Sequence, residues 1–300
     1  MTNSQTRASQ NPPTPEKQSL TYGARREAFR KLHESGCFVI PNPWDAGTAR
    51  YLRHLGFKAL ATTSGGFAFS RGLPDADWVA SCDMVLNHIA EIVAAVDLPI
   101  NADFQSGYAP EPEGVAANVR RCVETGVAGL SIEDATGRRD EPLYELPFAV
   151  ERIRAARAAI DASDANVLLT ARAECYLVGH PKPLPEAIRR LQAYAEAGAD
   201  VLYAPGPRMP DEIQSIVTSV NPKPVNVLMS SNTGLKIADL AAMGVRRVSV
   251  GSALARAAWT GFIRAAKNIA DEGSMEGFDG SISYADLDGF FQKDWMERSS

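Results

Sequence analysis

"NVRRCVETGVAGLSIED", residues 118–134, divides at Gly126. Val119, Cys122 and Val123 recur at the spacing of one helical face. A glycine follows, the residue best suited to the left-handed position that ends a helix. "AGLSIED" then reads as a short apolar strand stopping at two acids. The same order of helix, glycine and strand returns in "RYLRHLGFKALATT" around Gly56, "RRLQAYAEAGADVLYAP" around Gly198 and "IADLAAMGVRRVSVG" around Gly244. Successive glycines are about 70, 72 and 46 residues apart, too far and too uneven for a solenoid repeat. The spacing fits α/β units with further units between them.

Filling the gaps gives eight expected strands: residues 37–41, 59–63, 98–103, 129–134, 167–172, 201–205, 224–229 and 247–251. Most are continuous apolar runs, as in parallel strands covered by helices. Amphipathic stretches such as "PFAVERIRAARAAID" and "LPEAIRRLQAYAEAG" lie between them. Eight alternating units in about 230 residues imply an α/β fold of the TIM (β/α)8 type. An open doubly wound sheet competes, but no strand is followed by the dinucleotide-binding glycine fingerprint. The expected organisation is a disordered, Pro-rich tail over 1–20, a barrel over 21–270 and a helical extension over 271–300. The aromatics of "FDGSISYADLDGFFQKDWMERSS" call for a packing partner, within the chain or outside it.

The 300 residues carry a formal net charge of -5. That mild acidity gives no general attraction to nucleic acid or to an anionic membrane. No apolar run approaches the ~20 residues of a membrane span, and the polar N-terminus lacks a secretory h-region. Cys37, Cys82, Cys122 and Cys175 are scattered without metal-site or CxxC spacing. Reduced cysteines in a cytoplasmic protein are expected.

A barrel of this type places its chemistry at the C-terminal ends of its strands. There the chain reads "NPWDAG", "SGGFAFSRGLPD", "DFQSGY", "EDATG", "RAECY", "PGP", "SSNTG" and "GSALAR" in order. Asp103 and Glu133 end adjacent strands, so their carboxylates can share a cation. Oxygen ligands without Cys or His suit Mg²⁺ or Mn²⁺. Gln105, two residues past Asp103, points the same way if the chain stays extended. Arg172 on the next strand is placed to hold a substrate carboxylate bidentately. The amides of Ser64, Gly65 and Gly66 can hold an oxyanion. Each residue also has an ordinary reading. Strand-end acids cap helices and accept turn amides. Only one of Glu133 and Asp134 need point inward. Arg172 can pair with a nearby carboxylate, and Ser64–Gly66 can be a flexible turn. Ser252, opening a helix after Gly251, reads as an N-cap before it reads as a phosphate site. His33, His54, His88 and His180 fall away from the strand ends.

"TTSGGFAFSRGLPD", "DFQSGY", "GLSIEDATG" and "LLTARAE", in this order, resemble the isocitrate lyase/phosphoenolpyruvate mutase superfamily. The resemblance runs from about residue 30 to about 265 and is specific as an ordered set. It implies a barrel that binds Mg²⁺ and a small 2-oxo or 2-hydroxy acid. It makes Asp103 a direct metal ligand and puts Gln105 where a second acid binds the metal through water. Glu133 and Asp75 become outer-sphere acids. Ser64, Gly65 and Gly66 hold the substrate carboxylate and oxo oxygen, Arg172 binds substrate, and Asn226 adds a polar contact. It also implies a homotetramer, a dimer of dimers with swapped C-terminal helices.

The departures are informative. The lyases carry "KKCGH" or "KRCGH" after strand 4, with Cys as acid or base. Here the loop reads "ATGRRDEPLYELP", and "APGP" replaces the glutamate after strand 6. The mutase version of the strand-4 loop, with lysine and asparagine, is also missing, and "ARAE" replaces "ARTD". The chain thus resembles a subgroup without the lyase loop. Arg138, Arg139 and Tyr144 are that loop's polar candidates, and Tyr144 is a possible proton carrier despite an ordinary pKa near ~10. The expected activity is a Mg²⁺-dependent carbon–carbon lyase acting by retro-aldol cleavage or decarboxylation. Phosphorus–carbon chemistry and 2-oxo acid binding without turnover are the alternatives.

Overall fold

The computed structural model describes residues 15–299. The first helix, α1 (Pro15–Leu32), begins inside the stretch expected to be a tail, and residues 1–14 lie outside the described residues. Eight strands follow: β1 (Phe38–Ile40), β2 (Leu60–Ala61), β3 (Ile100–Asp103), β4 (Gly129–Glu133), β5 (Leu168–Arg172), β6 (Val201–Tyr203), β7 (Val225–Leu228) and β8 (Arg247–Ser249). Each falls within an expected strand. All pair in parallel, in the order β1-β8-β7-β6-β5-β4-β3-β2. The Ala61 amide donates to the Pro41 carbonyl at 3.0 Å, joining the ends of β1 and β2. The sheet is thus a nearly closed barrel.

Helices cover the outside: α2 (Ala46–His54), α3 (Ser64–Ser70), α4 (Cys82–Ala95), α5 (Pro112–Glu124), α6 (Leu146–Asp161), α7 (Pro183–Glu196), α8 (Pro210–Val220), α9 (Ile237–Ala242) and α10 (Ala253–Lys267). Proline sits in the first two positions of α5, α6, α7 and α8, where its missing N–H has no intrahelical partner to lose. Gly126 follows α5 at φ 91°, as the opening stretch requires. A Cβ there would sit 2.5 Å from the Tyr22 ring, so the glycine also admits α1.

Alternation along each strand builds two cores. Outward residues such as Leu130, Ile132, Leu169 and Leu202 pack under the helices. Inside, Phe29 of α1 joins Ile40, Ala59, Ala61, Ala128 and Leu168 as an apolar plug. Full burial of a Phe side chain contributes about 1.5–3 kcal/mol. Arg26 ties α1 to the Val127 carbonyl at 2.9 Å. Above the plug the interior turns polar, with Asn101, Ser131, Thr170, Asn226 and Arg247 all buried.

Beyond α10, a wider helical turn (Asn268–Glu272) and a short one (Glu276–Phe278) lead to α11 (Tyr284–Ser299). The α11 helix packs on α2 of its own chain. Phe290 lies 5.0 Å from the Tyr51 ring and 5.2 Å from His54, and the half-buried Arg50 lies 3.8 Å from Asp294. The expected aromatic packing is partly met within the chain, while Trp259, Phe262, Phe278, Tyr284 and Trp295 stay exposed.

A candidate active site in the barrel mouth

Asp103, Glu133 and Arg172 end three adjacent strands, and Glu133 is the direct register partner of Arg172. Their side chains meet. Arg172 NH1 lies 2.9 Å from Asp103 Oδ1 and 2.9 Å from Glu133 Oε2. Its Nε and NH2 each lie 2.9 Å from Oε1 of Glu174. The guanidinium also lies 5.0 Å from the centre of the Tyr203 ring. Arg172 therefore pairs with three acids, where the sequence suggested one. Glu174 and Tyr203 escaped the sequence reading. Glu174 lies in a turn past β5, and Tyr203 read as one more apolar strand residue.

Three carboxylates around one half-buried guanidinium leave excess negative charge. Burial, opposed by Arg172 and reinforced by Glu174 and Asp103, pushes Glu133 well above the ordinary carboxylate range. Burial likewise raises Glu174 to about 7. Burial alone would lower Arg172, but Glu133, Glu174 and Asp103 hold it above its ordinary value. The cluster's glutamates therefore hold a proton more readily than free carboxylates do.

Asp103 also acts as a helix cap. Its Oδ2 accepts from the Ser64 amide at 2.9 Å. Thr63 Oγ1 accepts from the Gly66 amide at 3.2 Å. Ser64–Gly66, expected as a loop, is instead the first turn of α3. Two glycines lower helix propensity, and these two caps compensate. Two of the three expected oxyanion amides are thereby engaged.

Ser64, Gly65, Asp75, Asp103, Arg172 and Asn226 line one cavity of about 190 Å³ in the barrel mouth. It collects six of the residues expected from the sequence. Asp75 also hydrogen-bonds Ser64; burial first, and then the charge of Asp103, raise its pKa. Gln105 does not keep the direction expected for it. The strand ends at Asp103, and Gln105 takes φ 42°, so the alternation rule no longer applies. Its carbonyl accepts from the Glu133 amide at 3.0 Å, and its side chain does not line the cavity. Tyr144 is also elsewhere. It lines a neighbouring cavity of about 890 Å³, with the Arg152 guanidinium 4.1 Å from its ring centre.

Asp134 settles the question left by the paired acids. Glu133 points inward, while Asp134 points out to a buried network. Its Oδ1 accepts from the Glu174 amide at 2.8 Å. Its Oδ2 accepts from Tyr194 at 2.6 Å and Arg190 at 3.0 Å. Asp134 therefore fixes the turn that carries Glu174.

Among the described residues, no group of three His, Cys, Asp or Glu side chains forms a metal cage. Mg²⁺ does not require one, since it commonly keeps several waters and takes one or two carboxylates. Asp75 and Asp103 offer hard oxygens at the cavity wall. The repulsion that helps raise Asp75 is one a cation would relieve. The donor set therefore fits a hydrated Mg²⁺.

Comparison with known proteins agrees with the fold. A Mycobacterium tuberculosis protein of uncharacterized function is 32% identical over 87% of this chain and 94% of its own. The oxaloacetate decarboxylase of Pseudomonas entomophila is 31% identical over 76% of this chain and 78% of its own. A Burkholderia cenocepacia crystal structure, named only by class as a lyase/mutase, superposes with TM-score 0.85 at 48% identity, covering 90% of this chain and 96% of that one. A phosphonopyruvate hydrolase solved with oxalate and Mg²⁺ gives TM-score 0.79 at 26% identity, over 92% and 97%. Residues 29–270 match the phosphoenolpyruvate phosphomutase family. With that match across most of the barrel, the chain belongs to the phosphoenolpyruvate phosphomutase family, in the superfamily of these mutases and the carbon–carbon lyases.

Proposed function

We propose that this chain is a Mg²⁺-dependent carbon–carbon lyase acting on a small 2-oxo or 2-hydroxy acid. The observation that carries this reading is the convergence of Asp75, Asp103 and Arg172 on one polar cavity. Asp103, with Asp75 beside it, would hold the ion, with Glu133 and Gln105 in outer positions. When bound, Mg²⁺ would polarise the substrate oxo oxygen and favour the enolate that C–C cleavage develops. Arg172 orients the substrate carboxylate and at the same time clamps the acids. Ser64 and Gly65 shape the wall against which the acid lies. Glu174 Oε1 accepts from Arg172, which leaves Oε2 as the oxygen able to take a proton. The resemblance to an oxaloacetate decarboxylase supports carbon–carbon cleavage. The test is release of a pyruvate-type product from oxaloacetate or substituted malates with Mg²⁺. No release from any of them would end the reading.

A second reading is phosphorus–carbon chemistry, favoured by the family match itself. An unchanged phosphorus NMR signal of phosphonopyruvate would exclude it. The absence of Cys, His and Lys from the described cavity wall favours a third reading, binding without turnover. Turnover would exclude it. The exposed aromatics of α10 and α11 support a homo-oligomer, a tetramer by family expectation, and sedimentation would test this. Among the described residues, no helix is long and apolar enough to cross a membrane. A cytoplasmic location remains part of the proposal.

A further inference from the structure

The cavity that holds Arg172 has a second arginine at its floor. Arg247 starts β8 and is 3% exposed, yet it lines the same cavity. Its Nε donates to Asn226 Oδ1 at 2.9 Å and its NH2 to Thr170 Oγ1 at 3.0 Å. Its NH1 lies 3.4 Å from His33 Nε2. His33 Nδ1 bonds the Phe29 carbonyl at 2.8 Å, which leaves Nε2 as the acceptor. Burial, and then Arg247 itself, push His33 down to about 3, so the ring stays neutral. None of the three partners is an acid. Burial lowers Arg247 to about 10, which still leaves it charged at neutral pH.

A buried cation without a counter-ion is costly. A barrel interior is ordinarily filled by branched apolar residues. Here that layer is polar. Asn101 lines the same cavity, and its Oδ1 is a buried acceptor without a hydrogen-bond donor among the described residues. A chain of contacts also joins the two arginines, a ring contact followed by hydrogen bonds. Arg172 lies against Tyr203, Tyr203 bonds Ser249, and Asn226 Nδ2 donates to Ser249 Oγ at 2.9 Å while accepting from Arg247. A cavity of about 190 Å³ exceeds the ~150 Å³ that accommodates benzene in an engineered core, so a four-carbon acid is of the right size.

We propose that Arg247 is a second anion-binding group of this cavity, so that the site selects a small acid with two anionic ends. One end meets the Arg172 rim, the other the Arg247 floor. The inference rests on the proposed function, because it assumes that the cavity receives the acid.

Calorimetric binding of malate and of lactate, with Mg²⁺ present, tests it. Both carry the 2-hydroxy acid head, and only malate has the second carboxylate. Wild-type protein should bind malate at least about tenfold more tightly than lactate. Arg247→Met should weaken malate at least about tenfold and lactate less than about threefold, with Arg247→Lys in between. If Arg247→Met does not fold, Asn226→Asp places an acid beside Arg247 and should cause the same selective loss. Equal weakening of both acids, or of neither, would overturn the proposal. Failure of the wild type to bind either acid would overturn the proposed function with it.

Discussion

Two arginines, one half-buried and one buried, sit at the two ends of one cavity, and their surroundings are opposite. Arg172 at the rim contacts three acids, Asp103, Glu133 and Glu174. Arg247 at the floor contacts a carboxamide, a hydroxyl and an imidazole. The rim has negative charge to spare and suits a proton or a hard cation. The floor has positive charge to spare and suits an anion. A metal-assisted acid site needs both, a cation held by carboxylates and a cationic group for the ligand. The difference follows from register. Arg172 ends β5, on the side of the barrel where β3 and β4 end in Asp103 and Glu133. Arg247 begins its strand, at a level where neighbouring inward positions carry Asn and Thr.

Substitution should separate the two ends most sharply. Arg172→Met leaves the buried Glu133 and Glu174 and the half-buried Asp103 without their cation and should cost about 3–5 kcal/mol in urea unfolding at neutral pH. Arg247→Met leaves only neutral groups and should cost less than about half as much. The Arg172→Met deficit should shrink on acidification, because protonation then relieves the repulsion. Equal costs would erase the contrast.

The pH dependence comes next. Glu174 has a folded-state pKa of about 7, raised by burial from an ordinary value of 4.5. Between those values the folded chain binds more protons than the unfolded one, so its contribution is full below 4.5 and is lost as pH rises through about 7. The unfolding free energy from urea titration should fall across that window by an amount on the order of 1–3 kcal/mol, the midpoint falling with it, and Glu174→Gln should flatten the fall. A wild-type midpoint constant across the window would contradict the charge excess assigned to the rim.

Smaller effects probe the link between the ends. Tyr203→Phe removes the hydrogen bond to Ser249 and should cost about 1 kcal/mol. Gln105→Glu should raise Mg²⁺ affinity about two- to fivefold, a small rise since the side chain lies outside the cavity wall and acts across a screened distance. No rise would remove Gln105 from the metal site.

Much of this was legible in the sequence, in physically graded order. All eight strands were legible, most of them as apolar runs, because both faces of a parallel barrel strand are covered. The glycines after the helices marked their ends because few other residues take φ near 91°. Asp103 and Arg172 stood out because they end strands. The residues that escaped lack such markers. Arg247 begins a strand, where barrel logic assigns stability, so its place in the cavity was invisible. Ser64–Gly66 looked like a turn because the Asp103 cap is 39 residues away in sequence. The direction of Gln105 was misjudged because a positive φ in a non-glycine residue leaves no clear trace in residue type.

The initial rate of C–C cleavage against Mg²⁺ concentration, in wild type and Asp103→Asn, tests the central claim most directly. Oxaloacetate and substituted malates serve as substrates. The account predicts a saturable Mg²⁺ dependence abolished by a chelator, and a loss of at least about a hundredfold in Asp103→Asn. A wild-type rate unaffected by the chelator, or no cleavage of any of these acids, would contradict it.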